Sequence, residues 1–405
     1  MGWKSKTGRL WRHWNRKIAL ALCIVIVFLI GVGIGDGKLA IRFPWDPKPV
    51  ATGLPAQLDY SSVNQVYQSL KENYDGKLTE TELLNGLKEG LAAAPGDPYT
   101  EYFTPSQAKD FSNELNNTFS GIGAELSQNS DGNIEIIAPI AGTPAAKAGL
   151  QPQDVIASIN GVSTSGMNVD TAVNDIRGKA GTKVTLQIIR NQTQTLNLTI
   201  TRQNITIPSV TTKILPGNIG YMAISTFADD TSSLAQKDAN QFANEHVKGI
   251  ILDLRDDPGG LLTAAVNVSS LWLPQGQTIM QERRGNTVVQ TYYAEGGDVL
   301  HGIPTVVLIN GGSASASEIT TGALHDNGDA YVIGLKSFGK GVVQQLINFS
   351  DGSELKVTVA SWYRPDGQDI EHKGITPDKT VPDPGTDLIA PNDPQLQAAE
   401  AYLNK

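Results

Sequence analysis

Cysteine is almost absent: Cys23 is the only one in 405 residues. The chain beyond it has no disulfide and must be stable on core packing alone. Histidine is scarce too, with five residues. No His, Asp and Glu cluster has the spacing of metal ligands, so no metal is expected, and no motif calls for a cofactor. Basic residues are in deficit outside the N-terminus. Residues 1–35 hold six (Lys4, Lys6, Arg9, Arg12, Arg16, Lys17) and no acid. The rest carries 26 basic and 41 acidic residues, a net of −15. An acidic body argues against nucleic acid as a partner.

Long apolar runs are equally rare. The one that exists, residues 18–35, is uncharged and mostly Ile, Val, Leu and Ala. As a helix it spans about 27 Å, just enough for a bilayer core. The basic flank before it predicts an N-terminus in the cytoplasm and a body outside the membrane. A cleaved signal peptide is the competing reading. No Ala-x-Ala site stands at its exit, and Trp3, Trp11 and Trp14 suit a membrane interface, so an uncleaved single-pass anchor is expected. Cys23 is then a plain apolar position, since Leu22 before it is wrong for a lipoprotein site.

Residues 1–17 read as a cytoplasmic basic segment, 18–35 as the transmembrane anchor and 36–54 as a Pro- and Gly-rich linker. A helical region follows at 55–114. Val63, Val66, Tyr67 and Leu70 recur at helical spacing, as do Leu83, Leu84, Leu87 and Leu91, with Thr79 or Thr81 as candidate caps. A further helix is predicted after Thr104-Pro105. Residues 115–204 change to short strands around a helix near 169–176. From 205 to 385, strands at 250–254, 305–309 and 330–333 alternate with helices at 262–273 and up to 326, which predicts a mixed α/β layer. Residues 386–405 close the chain as a helix or tail, with no further cell-wall-binding domain expected.

The chemistry centres on Asn310-Gly311-Gly312-Ser313-Ala314-Ser315-Ala316-Ser317-Glu318, which follows the apolar run 306–309. A strand that breaks on two glycines and restarts as a helix exposes hydroxyls and backbone N–H groups at a helix N-terminus. Ser315-x-x-Glu318 is also the spacing of a capping box, so the turn alone does not separate nucleophile from cap. Lys340 lies between Gly339 and Gly341. Buried by Phe338, Val342 and Val343, its amine would lose its proton near neutral pH and serve as general base. If a strand runs from Val342, Lys340 and Gln344 share a face, and Gln344 can accept from the Lys340 amine. His325 stands ten residues after Ser315, about 15 Å along a helix, too far for a dyad. The turn Asp256-Asp257-Pro258-Gly259-Gly260 is a candidate second oxyanion donor beside the Ala316 N–H. Gly259 is taken ahead of Gly260, although the sequence does not choose between them.

The 115–204 unit, with Gly121-Ile122-Gly123-Ala124, Thr143-Pro144-Ala145 and Ile159-Asn160-Gly161, resembles a PDZ domain. Such domains add a peptide as an extra strand and hold its terminal carboxylate on backbone N–H groups. Gly121, Ile122, Gly123 and Ala124 are the candidate nest, and Leu126 and Ile176 the side-chain pocket. Arg177 is a candidate sensor of a bound tail.

With Gly96-Asp97-Pro98-Tyr99, Leu254-Arg255, Pro258-Gly259-Gly260, the serine turn, Phe338-Gly339-Lys340-Gly341-Val342-Val343-Gln344 and Gly374-Ile375-Thr376-Pro377-Asp378, the chain resembles the C-terminal processing peptidase (tail-specific protease) family. The resemblance implies Ser315 as nucleophile, Lys340 as general base and Gln344 as its support. It also implies a multidomain α/β (α+β) fold: a crotonase-like protease core with an inserted PDZ domain, an N-terminal helical region and one transmembrane helix. The family commonly has Asn where this chain has Asp257, and an acid there places negative charge near an oxyanion.

The expected activity is that of a serine endopeptidase of the bacterial envelope, acting on exported proteins or peptides through exposed C-termini. A catalytically silent, membrane-tethered PDZ adaptor is the alternative. An acyl-thioester enzyme on the same core is disfavoured by the PDZ unit. A homo-oligomer is compatible with the sequence, which leaves the oligomeric state open.

Overall fold

The structure is a computed structural model that describes residues 54–55, 57–140, 142–382 and 393–404. The anchor expected at 18–35 lies outside the described residues, as do most of the linker and part of the expected tail. Among the described residues, no helix is long and apolar enough to cross a membrane. The chain divides after Gly76 into two units. The helical region expected at 55–114 is therefore split between them.

The first unit contributes the helix Ser61–Asn73. Its start is held by Asp59, whose carboxylate accepts from the Ser61 N–H at 2.9 Å and from its hydroxyl at 3.0 Å. Val63, Val66, Tyr67 and Leu70 form the expected stripe, yet no residue of this helix is buried.

The second unit opens with the helix Glu80–Ala93. Thr79, not Thr81, is its cap, and Glu82 reaches back to the Thr79 N–H at 2.8 Å. The helix Pro105–Leu115 starts the same way on Thr104 and Gln107, with proline at its first position, where a missing N–H costs nothing.

A two-stranded ribbon, Thr118–Gly121 with Gln203–Thr206, forms the neck of the next part. Chain entering and leaving side by side is what an insertion requires. Between the two lie the strands Ala124–Gln128, Ile134–Pro139, Val155–Ile159, Lys183–Arg190 and Gln194–Thr201, in that spatial order. The helix Val169–Ile176 packs its Ala172 and Ile176 onto a core that includes Ile134, Ile136, Ile156, Leu186 and Ile188.

The remaining chain builds two sheets. One has the order Val210–Leu215, Ile219–Ile224, Gly249–Asp253, Thr305–Ile309, Ala330–Gly334 and Lys379–Thr380, parallel except for its first pair. The central strands are buried along their whole length, because helices cover both faces. Side-chain alternation divides them. Ile250, Leu252, Val307 and Ile309 face the helices Thr231–Asn244, Leu262–Ser269 and Ala316–Asp326. Ile251, Val306 and Leu308 face the C-terminal helix Pro394–Leu403 through Leu396 and Ala399.

The second sheet is antiparallel, and its long-range pairings leave no trace in the sequence periodicity. It joins Glu101–Phe103, Glu354–Tyr363, Thr278–Arg284 and Thr287–Tyr293, with Val342–Asn348 on the other edge of Glu354–Tyr363. The helix expected to reach residue 273 ends at Ser269.

Candidate active site

Parallel neighbours place their following loops side by side. Gly249–Asp253 and Thr305–Ile309 pair in register from Ile250 with Thr305 to Asp253 with Leu308. The loop holding Pro258-Gly259-Gly260 and the serine turn therefore leave the same end of the sheet, the carboxyl end where open α/β sheets bind ligands. The two loops are stitched together. Asn310 bridges to Asp256 in both directions at 2.9 Å. Ser313 Oγ donates to the Leu254 carbonyl at 2.7 Å, and Ser317 Oγ to the Asp257 carbonyl at 2.9 Å. Gly312 has to be glycine here, because a Cβ would stand 2.8 Å from the Asp256 Cα.

These bonds separate the three serines. Ser313 and Ser317 are fully buried, and their hydroxyls are spent on the neighbouring loop. Ser315 is half-buried, its side chain faces the Glu318 N–H in a capping box, and among the described residues no hydrogen bond joins its hydroxyl to Lys340. It sits at φ 53° and ψ −112°, immediately before the helix Ala316–Asp326. A residue with a Cβ pays about 1–3 kcal/mol for such a conformation and persists there only when its surroundings over-determine it. The Ala314 N–H bonded to Asp257 O (3.0 Å), the Phe338 N–H bonded to Ser313 O (3.0 Å) and the Ser315 N–H bonded to Glu318 Oε2 (2.9 Å) supply that restraint.

Glu318 was visible in the sequence only as a cap. In the structure it is fully buried and accepts four bonds: from Ser315 N, Ser337 Oγ, Gly339 N and Lys340 N. Burial pushes its pKa up, and the four donors work against that push. With donors at every bond and no acceptor, the group accepts as a carboxylate does. One side chain thus fixes the backbone of Ser315 and of Lys340 together.

Lys340 lies in irregular chain just before Val342–Asn348. Among the described residues its amine has no ion-pair or hydrogen-bond partner, and it stands 5.2 Å from the centre of the Tyr99 ring. Its pKa is lowered, first by burial and then by the charge of Lys356, with Glu371 and Glu318 opposing. The apolar cover differs from that expected. Phe338 is 59% exposed, and its N–H is bonded to the serine turn. Tyr99 takes its place, and Trp362 anchors the Lys340 carbonyl through Nε1 at 2.9 Å.

Gln344 also differs from expectation. Its Nε2 donates to the Tyr99 carbonyl at 2.6 Å, and no hydrogen bond joins it to the Lys340 amine. Lys340 precedes the strand, and Gln344 follows a register shift after Val343, so the alternation that would align them does not hold.

Ser315, Lys340 and Gln344 nevertheless share one cavity of about 410 Å³ with Gly259, Gly260 and Ile319. Its walls are otherwise mostly apolar, with Lys356 on one side. Gly259 presses on the serine turn: a Cβ would lie 2.8 Å from Ser315 Cβ and 2.9 Å from Ala316 N. Its N–H, however, is bound to Asp257 Oδ1 at 2.8 Å. That bond closes the turn and removes Gly259 from the available oxyanion donors, against the expectation. The Gly260 and Ala316 N–H groups have no protein partner among the described residues.

His325 is held by Asp326, Asp378 and Arg364, remote from this chemistry. Among the described residues no group of His, Cys, Asp and Glu has the arrangement of a metal site.

A second cavity, about 630 Å³, lies in the inserted part. Gly121, Ile122, Gly123, Ala124, Leu126, Ile176 and Arg177 all line it. Among the described residues the Ile122 and Gly123 N–H groups have no hydrogen-bond partner, while their carbonyls accept from Ala145 N and Ile140 N. Gly123, at φ 77°, leaves no room for a side chain: a Cβ would meet Thr143 at 2.5 Å. Arg177 is exposed, with its guanidinium 5.5 Å from the centre of the Phe119 ring.

Known proteins resemble both parts. The PDZ domain profile matches residues 113–189 and that of peptidase family S41 matches residues 218–381. The carboxy-terminal processing protease CtpA of Bacillus subtilis is 39% identical over 318 residues, 78% of this chain and 68% of that protein. A probable CtpA-like serine protease of Staphylococcus aureus is 38% identical over 333 residues, 81% of this chain and 66% of that protein. The chain thus spans about two thirds of the length of these relatives. A solved structure from Bacteroides fragilis, designated provisionally as an S41 protease, shares the fold at TM-score 0.58 and 16% identity, covering 87% of this chain and 99% of that one. The chain belongs to the C-terminal processing peptidases, serine-type proteases of family S41 that carry a PDZ domain.

Proposed function

We propose that the chain is an endopeptidase that captures protein substrates by their C-terminal tails and cleaves them through an acyl-enzyme on Ser315. Lys340 takes the serine proton and returns it to the leaving amine. The observation that carries this reading is a strained, hydroxyl-bearing Ser315 in the same cavity as an unpaired amine of lowered pKa. The N–H groups of Ala316 and Gly260 are the oxyanion donors in this reading, the first at a helix N-terminus. Gln344 acts at one remove, by fixing the Tyr99 segment against which the amine rests. The core is read as crotonase-like. The cavity of the inserted domain takes an apolar tail as an added strand, with its carboxylate on the Ile122 and Gly123 N–H groups.

The basic N-terminus and residues 18–35 support a membrane anchor with the catalytic part on the extracytoplasmic side, where exported proteins are the substrates. The deciding experiment is cleavage of an unfolded reporter with an apolar tail, together with labelling by a serine-directed phosphonate. Ser315→Ala and Lys340→Ala abolish both, and Lys340→Arg fails too, since arginine does not act as a neutral base. Cleavage by either alanine variant at the wild-type rate refutes the assignment. Tail binding with no labelling favours the adaptor.

A further inference from the structure

We propose that Asp257 is a positioning residue whose neutral carboxyl holds the Gly259 turn against Ser315, and whose ionisation shuts the enzyme down on the alkaline side. This rests on the reading of Ser315 as nucleophile.

The geometry makes a charged Asp257 costly. Its side chain is fully buried. Oδ1 accepts the Gly259 N–H at 2.8 Å, and Oδ2 is buried with no hydrogen-bond partner among the described residues. The groups that meet it from the serine helix are neutral. Ser317 Oγ donates to its main-chain carbonyl, as does the Ala314 N–H. The charged neighbours are committed elsewhere: Arg255 to Asp253 and Asp393, Asp256 to Asn310, and Glu318 to Ser315, Ser337, Gly339 and Lys340. The Lys340 amine lies toward Tyr99. A buried carboxylate with so few donors and no cation stays protonated until the solution is alkaline. Burial pushes this carboxyl up to about 8, against the Gly259 N–H and the nearby Ser317 hydroxyl, which hold it down.

The position turns that ionisation into a catalytic event. Gly259 touches Ser315 and Ala316, and Gly260 follows it. A carboxylate formed behind this turn sets a negative charge against the place where an oxyanion forms. That repulsion opposes the transition state, in an interior where charge is poorly screened. Asparagine, which the resemblance leads one to expect here, closes the same turn through its side-chain oxygen and never ionises.

The test is the pH profile of kcat/KM in the full-length chain. The wild type falls about tenfold by one pH unit above the Asp257 pKa. In Asp257→Asn the alkaline fall is absent. An Asp257→Asn profile with the same fall overturns the proposal. If that variant is unfolded or inactive throughout, carboxyl 13C NMR of the Ser315→Ala protein decides. An aspartate titrating near pH 8 supports the proposal, and Asp257 titrating in the ordinary carboxylate range overturns it. Failure of the underlying function looks different: wild type then shows no Ser315-dependent cleavage or labelling at any pH.

Discussion

The main chains of Ser315 and Lys340 share one acceptor: each N–H donates to Oε2 of Glu318, at 2.9 and 3.0 Å. The two residues are 25 positions apart, and a single buried carboxylate sets their separation. Glu318→Gln offers only one accepting oxygen, and its amide hydrogens face the remaining donors. A buried donor left unpaired costs about 1–3 kcal/mol. We expect a lower urea midpoint and a kcat reduced roughly ten- to a hundredfold, with KM changed little, because the loss is one of alignment. A larger effect on KM than on kcat would contradict this role.

Lys356 acts on Lys340 by charge. It is paired with Glu101 at 3.0 Å, lies over the rings of Phe103 and Phe111, and lines the same cavity. Its presence lowers the Lys340 pKa, second only to burial. Activity needs the neutral amine, so it rises with pH through that lowered pKa. Lys356→Met removes the second cation, raises the pKa and moves the acid limb of kcat/KM to higher pH. A limb that stays in place, or moves to lower pH, shows that burial alone sets the amine.

The sequence made the active turns legible because they are local. Two glycines after an apolar run, and Pro258-Gly259-Gly260 after another, need no distant partner to be read as strand-to-helix turns. The helices capped by Thr79 and Thr104 were readable for the same reason, their caps lying three residues from Glu82 and Gln107. What stayed hidden depends on distant contacts. The antiparallel sheet pairs Glu101 with Lys356 and Gln281 with Tyr363, and nothing in periodicity announces such pairings. Glu318 looked like a cap, since its bonds to Ser337, Gly339 and Lys340 bridge about twenty residues. Phe338 and Gln344 were misplaced by assuming that near neighbours of Lys340 in the chain surround its amine.

Arg255 ties the catalytic turn to the far end of the chain. It binds Asp253 at 2.5 Å and Asp393 at 2.8 Å, all three side chains being nearly inaccessible. Asp393 in turn caps the helix Pro394–Leu403 by accepting from the Gln395 and Leu396 N–H groups. Arg255→Met leaves two buried carboxylates without their cation, a loss of about 3–5 kcal/mol. Chemical denaturation should show it as a lower midpoint, and restoring balance with Asp253→Asn and Asp393→Asn in the same chain should recover part of the loss. A midpoint within experimental scatter of the wild type would mean that the trio contributes nothing net.

The inserted domain makes a prediction about the end of the substrate. Its cavity offers the Ile122 and Gly123 N–H groups, which have no partner among the described residues, beside the apolar Leu126 and Ile176. A peptide that ends in a free carboxylate satisfies both donors, whereas a C-terminal amide brings two hydrogens toward them. Charge-assisted bonds to such donors are each worth about 1.5–3 kcal/mol. Fluorescence anisotropy should therefore show the amidated form of an apolar-tailed peptide binding at least about tenfold more weakly than the acid. Gly123→Val, with Thr143 in the way of its first carbon and φ at 77°, should abolish binding of both. Ser315→Ala should leave the two affinities where they are, since the groove is built without the serine turn. Equal affinity of acid and amide would place tail recognition somewhere other than this loop.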